Sequence, residues 1–197
     1  MIAIVDYGVG NLRSVEKGLA YVGVRAEVTG DASTIDRADA IVLPGVGAFE
    51  SGMKKIAPLT DVIKQRVREG TPLLGICLGM QMLFEESDEN GIHTGLGFVK
   101  GRVTRFTGVP RVPHMGWNSL NIRKQHAILK DVPENAYVYF VHSYRADVCE
   151  QTVASTDYGI PFTAIVANEN VVGTQFHPEK SGATGLRMLK NFAGMSR

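Results

Sequence analysis

The chain has 197 residues, a length that suits one ordinary domain, and a core of that size holds together without disulfides or a structural metal. Lys and Arg number 21 against 20 Asp and Glu, and this net charge of +1 gives no electrostatic reason to expect a nucleic acid partner. Hydrophobic residues at 44% exclude a disordered chain, and the longest uncharged run, Thr71–Phe84, is shorter than the ~20 apolar residues a membrane helix needs.

Ile2 to Val5 reads as a first strand ending at Asp6-Tyr7-Gly8, and an acid this early argues against a signal peptide. Leu12, Val15, Leu19 and Val22 then carry helical spacing. Strands are expected at Arg25 to Val28, Ala40 to Leu43 and Leu73 to Ile76, with helical segments between Phe49 and Arg68 interrupted at Pro58. Alternating strands and helices with wholly apolar central strands imply an α/β fold with an open, mainly parallel sheet and flanking helices.

From Phe98 the texture changes. Val99 to Phe106, Ser119 to Ile122, Tyr137 to Arg145, Thr152 to Thr156, Thr163 to Ala167 and Val171 to Phe176 read as strands with short turns, an antiparallel β portion appended to the sheet. A closing helix is expected from Thr184 to Ala193. With no repeat, low-complexity tract or linker, residues 1–197 are read as a single domain. The two cysteines, Cys77 and Cys149, form no disulfide framework, so the cytoplasm is the expected compartment.

The strongest local signal is Gly75-Ile76-Cys77-Leu78-Gly79, a buried strand running into Gly-x-Cys-x-Gly and then a helix. A nucleophile elbow needs small residues two before and two after the nucleophile, because the strand-to-helix turn leaves no room for a Cβ. Cys77 would sit at the helix's amino end, with the Leu78 N–H facing an oxyanion. The alternative for a lone cysteine is a buried core residue. Among five histidines, His177 stands out in Phe176-His177-Pro178-Glu179: proline biases it toward an extended conformation, in which residues two apart share a side. Glu179 could then fix the tautomer of His177 as the acid of a Cys-His-acid triad, although the same segment by itself also fits a surface turn. Pro44-Gly45-Val46-Gly47 follows the third strand, where open α/β sheets place their ligands, and its peptides could add an oxyanion donor. It also fits a plain turn.

Together PGVG, GICLGMQ, VHSY (Val141 to Tyr144) and FHPEKSG (Phe176 to Gly182) resemble the class I (triad) glutamine amidotransferases over essentially the whole chain. Within that family, DYGVGN (Asp6 to Asn11) paired with PHMGWN (Pro113 to Asn118) is similar to the glutaminase subunits of imidazole glycerol phosphate synthases. The resemblance implies that Cys77 attacks the carboxamide of L-glutamine, His177 protonates the departing ammonia and Glu179 orients His177. It further implies that Leu78 and the Val46–Gly47 peptide form the oxyanion hole, while Gln81 and the backbone around His142, Ser143 and Tyr144 bind glutamine, with Gly45 nearby. No cofactor or metal is implied. Ammonia would pass to a (β/α)8-barrel cyclase, whose own substrate activates the glutaminase through the PGVG loop. Met115 and Trp117 are expected on the partner face, with Asn11 and Lys180, the competing reading being that Trp117 is core.

Three rivals stand beside this. Gly8-Val9-Gly10 begins a dinucleotide fingerprint, but Arg13 occupies the third glycine position. Another cysteine hydrolase on the same fold would not need the HPE segment. A non-catalytic subunit would keep the triad only as packing.

Overall fold

In the computed structural model, which describes residues 1–195, the first half alternates strand and helix: β1 (Ile2–Val5), α1 (Leu12–Tyr21), β2 (Ala26–Thr29), α2 (Ala32–Asp36), β3 (Ala40–Gly45), α3 (Phe49–Ile56), α4 (Thr60–Arg68), β4 (Leu73–Cys77) and α5 (Leu78–Met82). Strands then dominate: β5 (Phe84–Ser87), β6 (His93–Thr94), β7 (Val99–Arg105), β8 (His114–Ser119), β9 (Asn121–Ile122), β10 (Tyr137–His142), β11 (Tyr144–Ala146), β12 (Thr152–Asp157), β13 (Pro161–Asn168) and β14 (Val171–Thr174). Helix α6 (Gly182–Ala193) closes the described chain.

The main sheet has eight strands in the order β2-β1-β3-β4-β14-β13-β12-β9. It is parallel from β2 to β14 and antiparallel beyond. Strands β1, β3 and β4 are buried along their whole length, as parallel strands covered on both faces must be. Alternate residues feed two cores. Ile2, Ile4, Val42, Leu74 and Ile76 pack with Val15, Leu19, Leu189 and Phe192 of α1 and α6. Ala3, Val5, Ile41, Leu43 and Leu73 pack with Ile35, Phe49, Ile56, Ile63 and Val67 from α2, α3 and α4. Glu50 and Asp61 in the first turns of α3 and α4, and Lys54, Lys55, Arg66 and Arg68 in their last turns, complement the helix dipoles. Among the described residues no helix is long and apolar enough to cross a membrane.

The sequence-based strands need correction in three places. Tyr137 to Arg145 is two strands, because the chain leaves the β8–β10 pair after His142 and enters a four-stranded sheet, β11-β7-β5-β6, at Tyr144. Hydrophobic alternation continues across Ser143 and hides the break. The strand expected at Ser119 starts earlier, at His114, and a separate β9 follows Leu120. Here the usual pattern is inverted: Met115 and Trp117 are 62% and 55% exposed while His114 is buried. The last strand, β14, is not an antiparallel addition only; it pairs parallel with β4 and antiparallel with β13, so it welds the two halves together. The short α2, β5 and β6 carry too little periodicity to be anticipated.

Candidate active site

Strand β4 delivers Cys77 to the carboxyl edge of the sheet and turns into α5 without an intervening residue. The turn puts Cys77 at φ +56°, ψ −109°, a conformation non-glycine residues seldom hold unless the surroundings impose it. Both flanking glycines are required sterically. A Cβ on Gly75 would lie 2.7 Å from the Gly79 backbone, and one on Gly79 would overlap the Leu43 carbonyl oxygen. The Cys77 side chain lies over Val141, its sulfur 3.9 Å from that carbonyl oxygen.

His177 and Glu179 follow the carboxyl end of β14, the parallel neighbour of β4. Nδ1 of His177 donates to Oε1 of Glu179 at 2.7 Å, with both side chains almost wholly buried. The acid arrives by a different route from the one expected: His177 is extended, but Pro178–Lys180 is a 3-10 turn that swings Glu179 back onto the ring. The turn is bolted to β10. The His177 N–H donates to the Tyr139 carbonyl at 3.0 Å, while the Ser181 hydroxyl donates to the His177 carbonyl at 2.6 Å and accepts from the Tyr139 N–H at 3.0 Å. Gly185 of α6 packs so tightly beneath that a Cβ there would overlap the Pro178 carbonyl oxygen. Nε2 of His177 is buried without a hydrogen-bond partner of normal geometry. Burial alone would lower the His177 pKa, but Cys77 and Glu179, through hydrogen bonding and charge, outweigh it and raise it to about 9.

Over the sulfur opens a cleft of about 370 Å³. Val46, Gly47, Leu78, Gln81, His142, Ser143 and Tyr144 line it. Gly45 is not on the wall. It pairs in register with Cys77, and a Cβ there would meet the Tyr7 hydroxyl at 2.6 Å and Leu78 Cβ at 2.9 Å, so Gly45 lets the loop lie on the elbow. The Tyr7 hydroxyl donates to the Pro44 carbonyl at 2.7 Å; DYGVGN thus braces PGVG. Gly47, at φ +104°, has open space around it, and Val46 is 43% exposed. Met115 and Trp117 stand on the outer side of β8, which rules out the core reading of Trp117. Asn11 precedes α1, where its Oδ1 accepts from the Ser14 hydroxyl at 2.9 Å, and Lys180 is exposed on the 3-10 turn.

With this geometry in place, comparison with known proteins is decisive. The family model for Glutamine amidotransferase class-I matches residues 3–195. This chain belongs to the class I glutamine amidotransferases. It is 51% identical over 198 residues to the imidazole glycerol phosphate synthase subunit HisH of Methanosarcina acetivorans, covering 98% of both chains. It is 52% identical over 200 residues to subunit HisH of Halobacterium salinarum, covering 97% of this chain and 91% of that one. Among solved structures, a glutamine amidotransferase aligns with a TM-score of 0.77 at 21% identity, covering 98% of this chain and 100% of that chain. The structure of PurLQS from Thermotoga maritima aligns with a TM-score of 0.75 at 20% identity, covering 98% and 97%. At that identity the two structures bear on the fold alone.

Two side chains of this amidotransferase's site, one lining the cleft and one buried behind it, escaped the sequence reading. Glu89 lines the opening, its Oε2 accepting from the Phe49 N–H at 2.7 Å at the start of α3. Its signal was hidden in an acidic run, Glu85 to Glu89, that reads as solvated surface. Gln175 is fully buried between the site's parts. Its Oε1 accepts from Gln81 Nε2 at 3.1 Å, and its own Nε2 approaches the Cys77 sulfur at 3.8 Å. Its place just before Phe176-His177 was the available clue.

Proposed function

We propose how this amidotransferase, which hydrolyses L-glutamine as a subunit of imidazole glycerol phosphate synthase in histidine biosynthesis, divides the work among its residues. Glutamine lies in the cleft with its carboxamide at Cys77, its chain along Gln81 and the His142–Tyr144 backbone, and its ammonium toward the Glu89 carboxylate. The Cys77 thiolate attacks the carboxamide carbon, and the oxygen takes up negative charge against the N–H groups of Leu78 and the Val46–Gly47 peptide. His177, as imidazolium, gives its Nε2 proton to the leaving nitrogen; ammonia departs and a γ-glutamyl thioester remains on Cys77. Water then adds to the thioester while His177 takes up a proton, and collapse releases glutamate and restores the thiolate. Glu179 holds the Nδ1 proton in place throughout.

Ammonia passes to the partner subunit, which we assign as a (β/α)8-barrel cyclase seated on the face of Met115 and Trp117, with Asn11 and Lys180 at its margin. The cyclase uses the ammonia to form imidazole glycerol phosphate and aminoimidazole carboxamide ribonucleotide. Reorientation of the peptide at Gly47, flanked by open space, gates the hydrolysis. No cofactor enters any step, and two free cysteines suit the cytoplasm.

The observation that carries this reading is Cys77 held at φ +56° on its elbow, with His177 and Glu179 buried beneath it. The test is glutamate release from L-glutamine, with and without a barrel subunit loaded with its nucleotide. Release is expected to rise many-fold with the loaded barrel and to vanish in Cys77→Ala. Release that survives Cys77→Ala contradicts the proposed chemistry, and strong release indifferent to the barrel contradicts the proposed partner.

A further inference from the structure

His114 and His142 are buried imidazoles that no proton-transfer step above uses. They are register partners across β8 and β10, and Nδ1 of His114 lies 3.0 Å from Nε2 of His142. Each remaining nitrogen has its own neighbour. Nδ1 of His142 is 2.8 Å from the Tyr144 carbonyl oxygen, and Nε2 of His114 is 3.4 Å from Nδ2 of Asn118.

These contacts order the protons. A carbonyl only accepts, so His142 carries its proton on Nδ1. A neutral His142 then accepts at Nε2, so His114 carries its proton on Nδ1 and accepts from the Asn118 amide. Asn118 is fixed in orientation, because its Oδ1 accepts from the Ser119 N–H at 2.8 Å and its Nδ2 also donates to the Asp157 carbonyl at 2.9 Å.

Packing fixes the rings themselves. His114 is stacked between Phe140 and Tyr158, with ring centroids 4.8 and 4.1 Å away, and Phe106 and Phe162 close on His142 at 5.2 and 5.1 Å. Burial in this aromatic box disfavours the imidazolium and lowers the pKa of His114 to about 4 and that of His142 to about 3. The pair meets the cleft at Tyr144: the same carbonyl oxygen that accepts from His142 also accepts from Gln81 Nε2 at 3.0 Å. Gln81 and Tyr144 both line the cleft.

We propose that His114 is a positioning residue of the glutaminase: with His142 it forms a proton-ordered pair that pins the Tyr144 carbonyl, and through it the Gln81 amide, so that glutamine affinity is set from the strand whose outer side carries Met115 and Trp117. The inference rests on the glutaminase reading above and adds a residue that none of its steps touches.

Nitrogen shifts of the full chain labelled with 15N-histidine should show both rings neutral, with the proton on Nδ1, the less common tautomer of a free imidazole side chain. In the complex with the loaded barrel subunit, His114→Leu should raise KM for glutamine about tenfold, the worth of one well-placed hydrogen bond, with kcat little changed. His114→Asn keeps an N–H donor near the Nδ1 position and should recover most of the affinity. A ring protonated on Nε2 or on both nitrogens overturns the proposal, as does an unchanged KM in a folded His114→Leu or a loss confined to kcat. If His114→Leu does not fold, the wild-type shifts and the Asn variant decide. A wild-type complex that releases no glutamate sinks the glutaminase reading and this inference with it, a result distinct from failure at His114 alone.

Discussion

His177 is buried between Cys77 and the Glu179 carboxylate, whose Oε1 accepts from its Nδ1 at 2.7 Å. Against the cost of burial, those partners raise its pKa to about 9, so at neutral pH the ring carries the proton that the proposed mechanism gives to departing ammonia. The glutaminase kcat should therefore decline as pH rises through about 9, when the imidazolium loses that proton. Glu179→Gln removes the charge that favours the imidazolium and leaves only a neutral amide oxygen as acceptor; the decline should move to lower pH and kcat should fall about 10²- to 10⁴-fold. An unchanged alkaline limb, measured by glutamate release across pH, contradicts this role. The pairing of His177 with Glu179 was legible from their closeness in sequence and from Cys77, which announces itself by its glycines, but the geometry was not: the expected extended segment is a 3-10 turn at Pro178–Lys180. Glu89 was not legible, since only the fold separates it from its acidic neighbours and aims it at a cleft.

At the scale of elements, the elbow and the loop facing it depend on glycine for opposite reasons. Gly79 has no room for a side chain against the Leu43 carbonyl, whereas Gly47 has room but sits at φ +104°. Gly79→Ala should consequently fail to reach the native fold or lose more than about 3 kcal/mol of stability, since backbone must yield. Gly47→Ala should cost only the strain of its backbone conformation, about 1–2 kcal/mol. Denaturant midpoints of the two variants separate these cases, and equal losses would refute the distinction. The elbow could be read from sequence because its constraint is local: strand, tight turn and helix lie within a few residues. Strand β8 could not, because its inward side holds His114 and Asn118 and its outward side holds Met115 and Trp117, which reverses the pattern that marks a half-buried strand.

For the whole molecule, three buried histidines set opposing pH dependences. His177, raised from 6.5 to about 9, binds more protons folded than unfolded, so its contribution is full below pH 6.5 and is lost as pH rises through about 9. His114 and His142, lowered by burial from 6.5 to about 4 and about 3, favour the folded state at neutral pH and lose that contribution as pH falls below 6.5. His177→Gln should flatten the alkaline slope of stability and leave the acid slope in place, as read from denaturant midpoints; a slope untouched by the substitution would refute the assignment. Exposed Trp117 should be dispensable for folding yet central to assembly: Trp117→Ala should weaken barrel binding by about 2 kcal/mol or more, roughly 30-fold, with unchanged thermal stability. The parallel half of the architecture followed from apolar strands alternating with helices, but β14 pairing with β4 joins segments almost a hundred residues apart, and no local pattern encodes such a partner. At the carboxyl ends of those central strands the proposed chemistry turns on a covalent γ-glutamyl intermediate at Cys77, which acid-quenching the turning-over complex and mapping the adduct by peptide mass spectrometry would catch. The glutamyl mass should appear on the Cys77 peptide of the wild type and be absent in Cys77→Ala; glutamate release with an unmodified Cys77 at every quench time would contradict the mechanism.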